Sequence, residues 1–347
     1  MTYAFTHLNM HIALLAALEI ARVHLLSTAP GSEAATSKPK FVRQGEEAML
    51  VVAVETKDGK LYAGTSKVDL GNGKIRKAEP WPVREALTVD WFKVEATDPY
   101  VDNEEGGFHW DTITYVETAW PDARAEKASS LARPGDVRAT VHPDRGGLGT
   151  MTFKVVVTAG GKTLATPGKE DVYRGGVSAN VHRLTVRKDD TFLGYLTELY
   201  NTPYIWASAG SAGVHQADRN IGSDCADLMV YGMRRAGKNI DYGSTYDVPR
   251  WGGKKAIASI ATKADDGRFV DERGNAIKVG DGGVKRGDLV LFNRHVGAFS
   301  EDREPLGVFD ANDLLIHTAW APPAEESFTQ SKQWTSPPFS VWRVPIP

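Results

Sequence analysis

From about Glu46 to Arg187 the apolar positions fall in short runs, each closed by a polar or glycine turn. Met49–Val54, Leu61–Ala63, Val89–Val94, Ile113–Val116, Met151–Val157 and Val181–Val186 are rich in β-branched or aromatic residues. Between them stand Asp58-Gly59, Gly71-Asn72-Gly73, Gly106-Gly107, Gly146-Gly147 and Gly160-Gly161. Such punctuation predicts an all-β sandwich or barrel over residues 45–188. Trp81, Trp91, Trp110 and Trp120 are expected mainly inside that domain, because large aromatics bury most of their surface.

The pattern changes at Asp189. Asp190 reads as a helix cap, and Phe192, Leu193, Leu196, Leu199 and Tyr200 recur at helical spacing until Pro203. After a polar loop, a second helix is predicted from Cys225 to about Ala236, with Gly237 as its stop. Strand-like segments follow at Asp288–Phe292, His295–Phe299, Leu314–Thr318 and Ser340–Val344. Helices followed by strands predict an α+β domain over residues 189–347. Upstream, Ile12–Leu18 is an apolar run too short to span a bilayer. Residues 1–26 read as a degenerate export signal or an N-terminal helix, and residues 27–44 as a small, polar, proline-containing linker.

Composition narrows the function. The net charge of -3 offers no basic field, so nucleic acid is not an expected partner. One cysteine excludes an intramolecular disulfide and the paired-cysteine zinc sites. That cysteine, Cys225, opens a helix, where the partial positive charge of the N-terminus favours a thiolate and free N–H groups face a developing oxyanion. It is equally the position of a small buried hydrophobe. His295 stands at a strand start, with Gly297 permitting close backbone approach. His317 is polar within an apolar run and needs a partner if buried. On antiparallel neighbours the two imidazoles can meet, one taking the thiol proton and the other orienting it. A zinc site built from the same three side chains is the lesser alternative.

In order along the chain stand Thr202-Pro203-Tyr204-Ile205-Trp206, Ile221-Gly222-Ser223-Asp224-Cys225-Ala226-Asp227-Leu228, Arg286-Gly287-Asp288-Leu289-Val290-Leu291-Phe292, His295-Val296-Gly297 and Ile316-His317-Thr318. Together these segments resemble the NlpC-type family of papain-like cell-wall peptidases, over the C-terminal domain only. The resemblance implies a papain-like α+β domain, a Cys225–His295–His317 triad, and substrate contacts from Tyr204 and Asp224, the latter to a free amine. It further implies an exported hydrolase that needs no cofactor or metal and has no stable membrane span. The substrates would be peptidoglycan stem peptides, cut between D-glutamate and the following diamino acid. Departures from the family pattern are Ala226 in place of serine, Ala207-Ser208 in place of Gly-Gly, and an insertion around residues 254–283 expected to border the site. These leave open an amidase or acyltransferase acting on another acyl substrate, or a wall-binding protein with a degenerate site.

Overall fold

The computed structural model describes residues 18–120, 131–211, 214–252, 256–331 and 335–346. Strands dominate throughout, with 40% of the chain in strands and 9% in helix, which overturns the expected papain-like α+β class. Among the described residues the α-helices are α1 (Phe192–Leu196) and α2 (Cys225–Arg235). The first is shorter than its apolar spacing predicts, and the reason is local. Thr191, not Asp190, supplies the cap by accepting the Gly194 N–H, while Asp190 pairs with Arg187. Thr197 then donates its hydroxyl to the Gly194 carbonyl, and the chain tightens into a 3₁₀ turn over Thr197–Leu199. The second helix ends as predicted, with Gly237 at φ 94° just beyond it.

The helical reading of the residues before the linker and the linker itself are also corrected. Ile20–Thr28 is a strand, paired antiparallel with Met49–Thr56 along its length. Its two-residue alternation sends Leu25 and Leu26 into separate cores on opposite faces, which a helix could not do. Most of the Ile12–Leu18 run lies outside the described residues. The supposed linker is built into both sheets: Ala34–Thr36 runs parallel to Lys67–Asp69, and Lys40–Arg43 runs parallel to His182–Arg187.

One sheet orders Ala132–Pro134, Met49–Thr56, Ile20–Thr28, Ala34–Thr36, Lys67–Asp69 and Ile75–Lys77, with Leu61–Ala63 added to Met49–Thr56. The other orders Tyr115–Ala119, Leu87–Ala96, Gly149–Ala159, His182–Arg187 and Lys40–Arg43, with Lys162–Ala165 on Gly149–Ala159. Leu50, Val52 and Val54 of the first share one core with Val89, Trp91, Phe153 and Val155 of the second. Trp81 and Trp91 lie inside, Trp120 packs at the margin, and Trp110 stays partly exposed beside Phe108.

His182 is buried at the start of its strand, and burial pulls its imidazole down to about 4 although the Ser37 backbone opposes this in part. The unfolded chain therefore takes up a proton before the folded one does. The neutral ring contributes fully above about pH 6.5, and that contribution is lost as pH falls toward 4. We expect roughly 3 kcal/mol of acid destabilisation from this residue. Denaturant titrations at pH 7.5 and 4.5 should show a smaller difference for His182→Leu than for wild type.

The third large sheet orders Phe269–Val270, Ala256–Lys263, Phe339–Trp342, Leu289–Leu291, Val296–Glu301, Leu314–His317 and Ala324–Ser327. Leu289, Val296, Ala298 and Ile316 pack against α2, whereas Phe292, Phe299, Phe309 and Phe339 fill the core on the other side. The inserted segment supplies the first two strands, at the edge away from His317, rather than bordering it. Asp288 is a clamp: both its carboxylate oxygens accept from Arg343, fastening the C-terminal strand. Glu198, fully buried, accepts from Tyr231 and twice from Arg235, fastening α2.

The N-terminal β region and the C-terminal region are stitched together beside α2. Tyr100–Asp102 runs parallel to Tyr204–Trp206 as a two-stranded ribbon. The fully buried Asn103 donates to the Ala207 carbonyl at 3.1 Å and to Gln216 Oε1 at 3.0 Å. No helix among the described residues is long and apolar enough to cross a membrane.

Candidate active site

Cys225 opens α2 behind Asp224, whose Oδ1 accepts the Asp227 N–H at 2.8 Å. The preceding loop braces this corner. Ser208 Oγ accepts the Asp224 N–H at 3.0 Å and donates to Asp227 Oδ2 at 2.5 Å. His215 Nε2 stands 3.2 Å from the same carboxylate oxygen. Ala207, where the resemblance would place glycine, holds φ 54° in the left-handed region. The departure at Ala207-Ser208 thus carries backbone strain but supplies the hydroxyl that ties the loop to the helix.

The expectation of a thiolate at the helix start is reversed. Burial pushes the Cys225 thiol far above its ordinary value and the Asp224 carboxylate adds to this, while the backbone N–H of Val296 opposes them in part. Asp224 is itself raised well above the usual carboxylate range, first by burial and then by Asp227. His295 is held well below the usual imidazole range by burial and by His317. The resting pair is a protonated thiol and a neutral imidazole. That is a general-base arrangement, in which the proton moves as the sulfur attacks, rather than a preformed ion pair.

The backbone N–H of Val296, the residue after His295, lies close enough to the Cys225 thiol to favour its ionised form. Among the described residues no hydrogen bond joins the Cys225 thiol to the His295 imidazole. Such bonds commonly tighten only when substrate is bound. The two imidazoles do meet. Val296–Glu301 and Leu314–His317 are antiparallel with Ala298 opposite Ile316, and His295 Nε2 lies 2.9 Å from His317 Nδ1. Gly297 permits this: a Cβ there would stand 2.7 Å from Leu315 Cγ and 2.9 Å from His317 Cβ. On its other side His317 Nε2 donates to Glu326 Oε1 at 3.0 Å. Among the described residues no three His, Cys, Asp or Glu side chains are grouped so as to hold a metal ion.

Tyr204 is brought to the nucleophile by its ribbon: Ile205 N–H donates to the Ser223 carbonyl, two residues before Cys225. Its phenol is raised by burial, Cys225 and Asp224. Around it stand Tyr100 from the N-terminal β region, its ring centroid 5.8 Å away, and Trp320 from the turn after His317, at 5.6 Å. Trp206 lies parallel to Trp320 at 6.0 Å. Asp224 faces a separate cavity of about 630 Å³, lined also by His215, Asp218, Asp227 and Asp241. A larger groove of about 820 Å³ lies at the other end of α2, near Arg235, and holds none of the predicted site residues.

Sequence reasoning missed Glu326, Trp320, Tyr100 and the Ser208–Asp227–His215 brace. Glu325 and Glu326 are adjacent carboxylates on one strand, and only the pairing of Leu315 with Glu326 shows which of them shares the face of His317. No family model, no curated protein and no solved structure matches this chain.

Proposed function

We propose that the chain is a cysteine hydrolase that cleaves an amide bond in peptidoglycan stem peptides. The observation that carries this reading is the hydrogen-bonded chain from half-buried Glu326 through buried His317 to buried His295, whose neighbour Val296 lies by Cys225. The resemblance of the surrounding segments to NlpC-type peptidases supports the choice of substrate, and with it an exported protein. In the reaction the Cys225 sulfur bonds to the scissile carbonyl carbon and its proton passes to His295. The first-turn N–H groups of α2 face the oxyanion. His295 then gives that proton to the departing amine as the carbon–nitrogen bond breaks. A water attacks the thioester, its proton returns through His295 to the sulfur, and the acid is released. Asp224, beside a cavity lined by Asp218, Asp227 and Asp241 together with Arg234, suits a cationic amine on the peptide.

Defined stem peptides incubated with the protein and resolved by mass spectrometry test the reading. We expect cleavage at one bond, abolished in a folded Cys225→Ala variant. Turnover that survives in that variant would retire the nucleophile.

A further inference from the structure

His317 lies between two hydrogen-bond partners that together fix the tautomers of the imidazole pair when each ring carries one proton. Glu326 is a carboxylate, held below its ordinary range first by its hydrogen bond from His317, so its oxygen only accepts. His317 Nε2 must therefore carry the hydrogen in the 3.0 Å contact. When the His317 ring carries a single proton, its other nitrogen, Nδ1, is then a lone pair. The 2.9 Å contact to His295 follows from it: His295 Nε2 carries the hydrogen and donates. His295 Nδ1 is left bare, and on the reading of Cys225 as the nucleophile it is the nitrogen that takes the thiol proton. Remove the acceptor at position 326 and a second arrangement becomes available. His317 could then carry its hydrogen on Nδ1 and donate to His295 Nε2, which would place the His295 hydrogen on Nδ1 and block it as a base.

We propose that Glu326 is a positioning residue that fixes the tautomers of both imidazoles and so keeps His295 Nδ1 unprotonated. The consequence for catalysis rests on the reading of Cys225 as the nucleophile; the tautomer assignment stands without it. Geometry selects Glu326 over its neighbour. Ala324 is paired with His317, and Glu326, two residues further along, projects from the same face within diagonal reach. Glu325 points elsewhere and pairs with Lys188 at 3.7 Å. Ser331 and Arg145 also face Glu326, and both favour its ionised form.

Long-range proton–nitrogen correlation spectra of protein carrying ¹⁵N-histidine read the tautomers directly, and iodoacetamide alkylation from pH 5 to 9 reads the thiol. In wild type we expect His295 protonated on Nε2 and bare on Nδ1. In Glu326→Ala we expect a mixed population at both rings and alkylation at pH 7 slowed about 10- to 100-fold. Glu326→Gln keeps an acceptor oxygen and should retain most of the wild-type pattern. A wild-type His295 protonated on Nδ1, or tautomers unmoved in Glu326→Ala, would overturn the proposal, and the wild-type spectrum decides even if the alanine variant does not fold. An inert wild-type thiol with tautomers that shift in Glu326→Ala would instead remove the nucleophile reading and leave the assignment of Glu326 in place.

Discussion

His295→Ala should lower peptide turnover and iodoacetamide alkylation of Cys225 by about 10²- to 10⁴-fold, the range a positioned general base contributes. The effect is large because the backbone N–H groups that favour the thiolate are outweighed by burial and Asp224. Burial and the Asp224 carboxylate both hold the thiol protonated, so at neutral pH little thiolate forms without a base. The same environment fixes the acid limb of the wild-type profile. His295 acts as a base only when neutral, and its imidazole lies well below the ordinary range. The acid limb of kcat/KM should therefore fall below the usual imidazole value of about 6.5, with activity flat through neutrality. A profile whose acid limb sits at or above that value would assign the base to another group. Alanine removes a ring that stacks on Phe292 at 5.7 Å, so a denaturation curve must accompany the rates.

The parts of the fold that were legible in the sequence are those set by short-range pattern. The runs of β-branched residues between glycine turns marked strands near Met49–Thr56, Leu87–Ala96, Gly149–Ala159 and His182–Arg187, and Gly237 marked the end of α2. What failed depends on tertiary pairing. Ile20–Thr28 has enough apolar residues for an amphipathic helix, but it sits between two cores, and each face of the strand buries its own leucine. Ala34–Thr36 and Lys40–Arg43 are too short and polar to declare themselves, and exist as strands because partners distant in sequence complete their ladders. The α+β expectation failed because the helical spacing after Asp190 continues past a point where threonine hydroxyls redirect the backbone. At the candidate site, residue types were legible, since a lone cysteine and two histidines in apolar segments stand out. The protonation of the thiol was not, because the helix terminus acts locally whereas burial and Asp224 are properties of the folded site. Glu326 and Tyr100 were invisible for the same reason: register and ribbon pairing place them there.

Gly297→Ala tests whether the imidazole pair depends on backbone approach, and it should damage stability and chemistry together. Gly297 stands one step along the ladder from the Ala298–Ile316 pair, beside His317 and two residues from His295. Its missing side chain leaves the volume through which the His317 ring reaches His295. An added Cβ would meet Leu315 Cγ at 2.7 Å, Leu315 Cδ2 at 2.8 Å and His317 Cβ at 2.9 Å, distances that real Cβ contacts do not sustain. Leu315 is buried in the phenylalanine-rich core and cannot withdraw freely, so the strands must separate or the ring must move. Overpacking of this kind is expected to destabilise the protein by about 1–3 kcal/mol. A displacement of the catalytic geometry approaching 1 Å lowers turnover by about 10²-fold. The two effects separate experimentally. Denaturant midpoints measure the first, and turnover measured well below the melting transition, where the variant is folded, measures the second. If the folded variant turns over at the wild-type rate, the sheet has accommodated the methyl group and the contact between His295 and His317 does not set the rate. If it is folded and slow, with the His295 and His317 proton signals displaced together, the close approach at Gly297 is what holds the base in position.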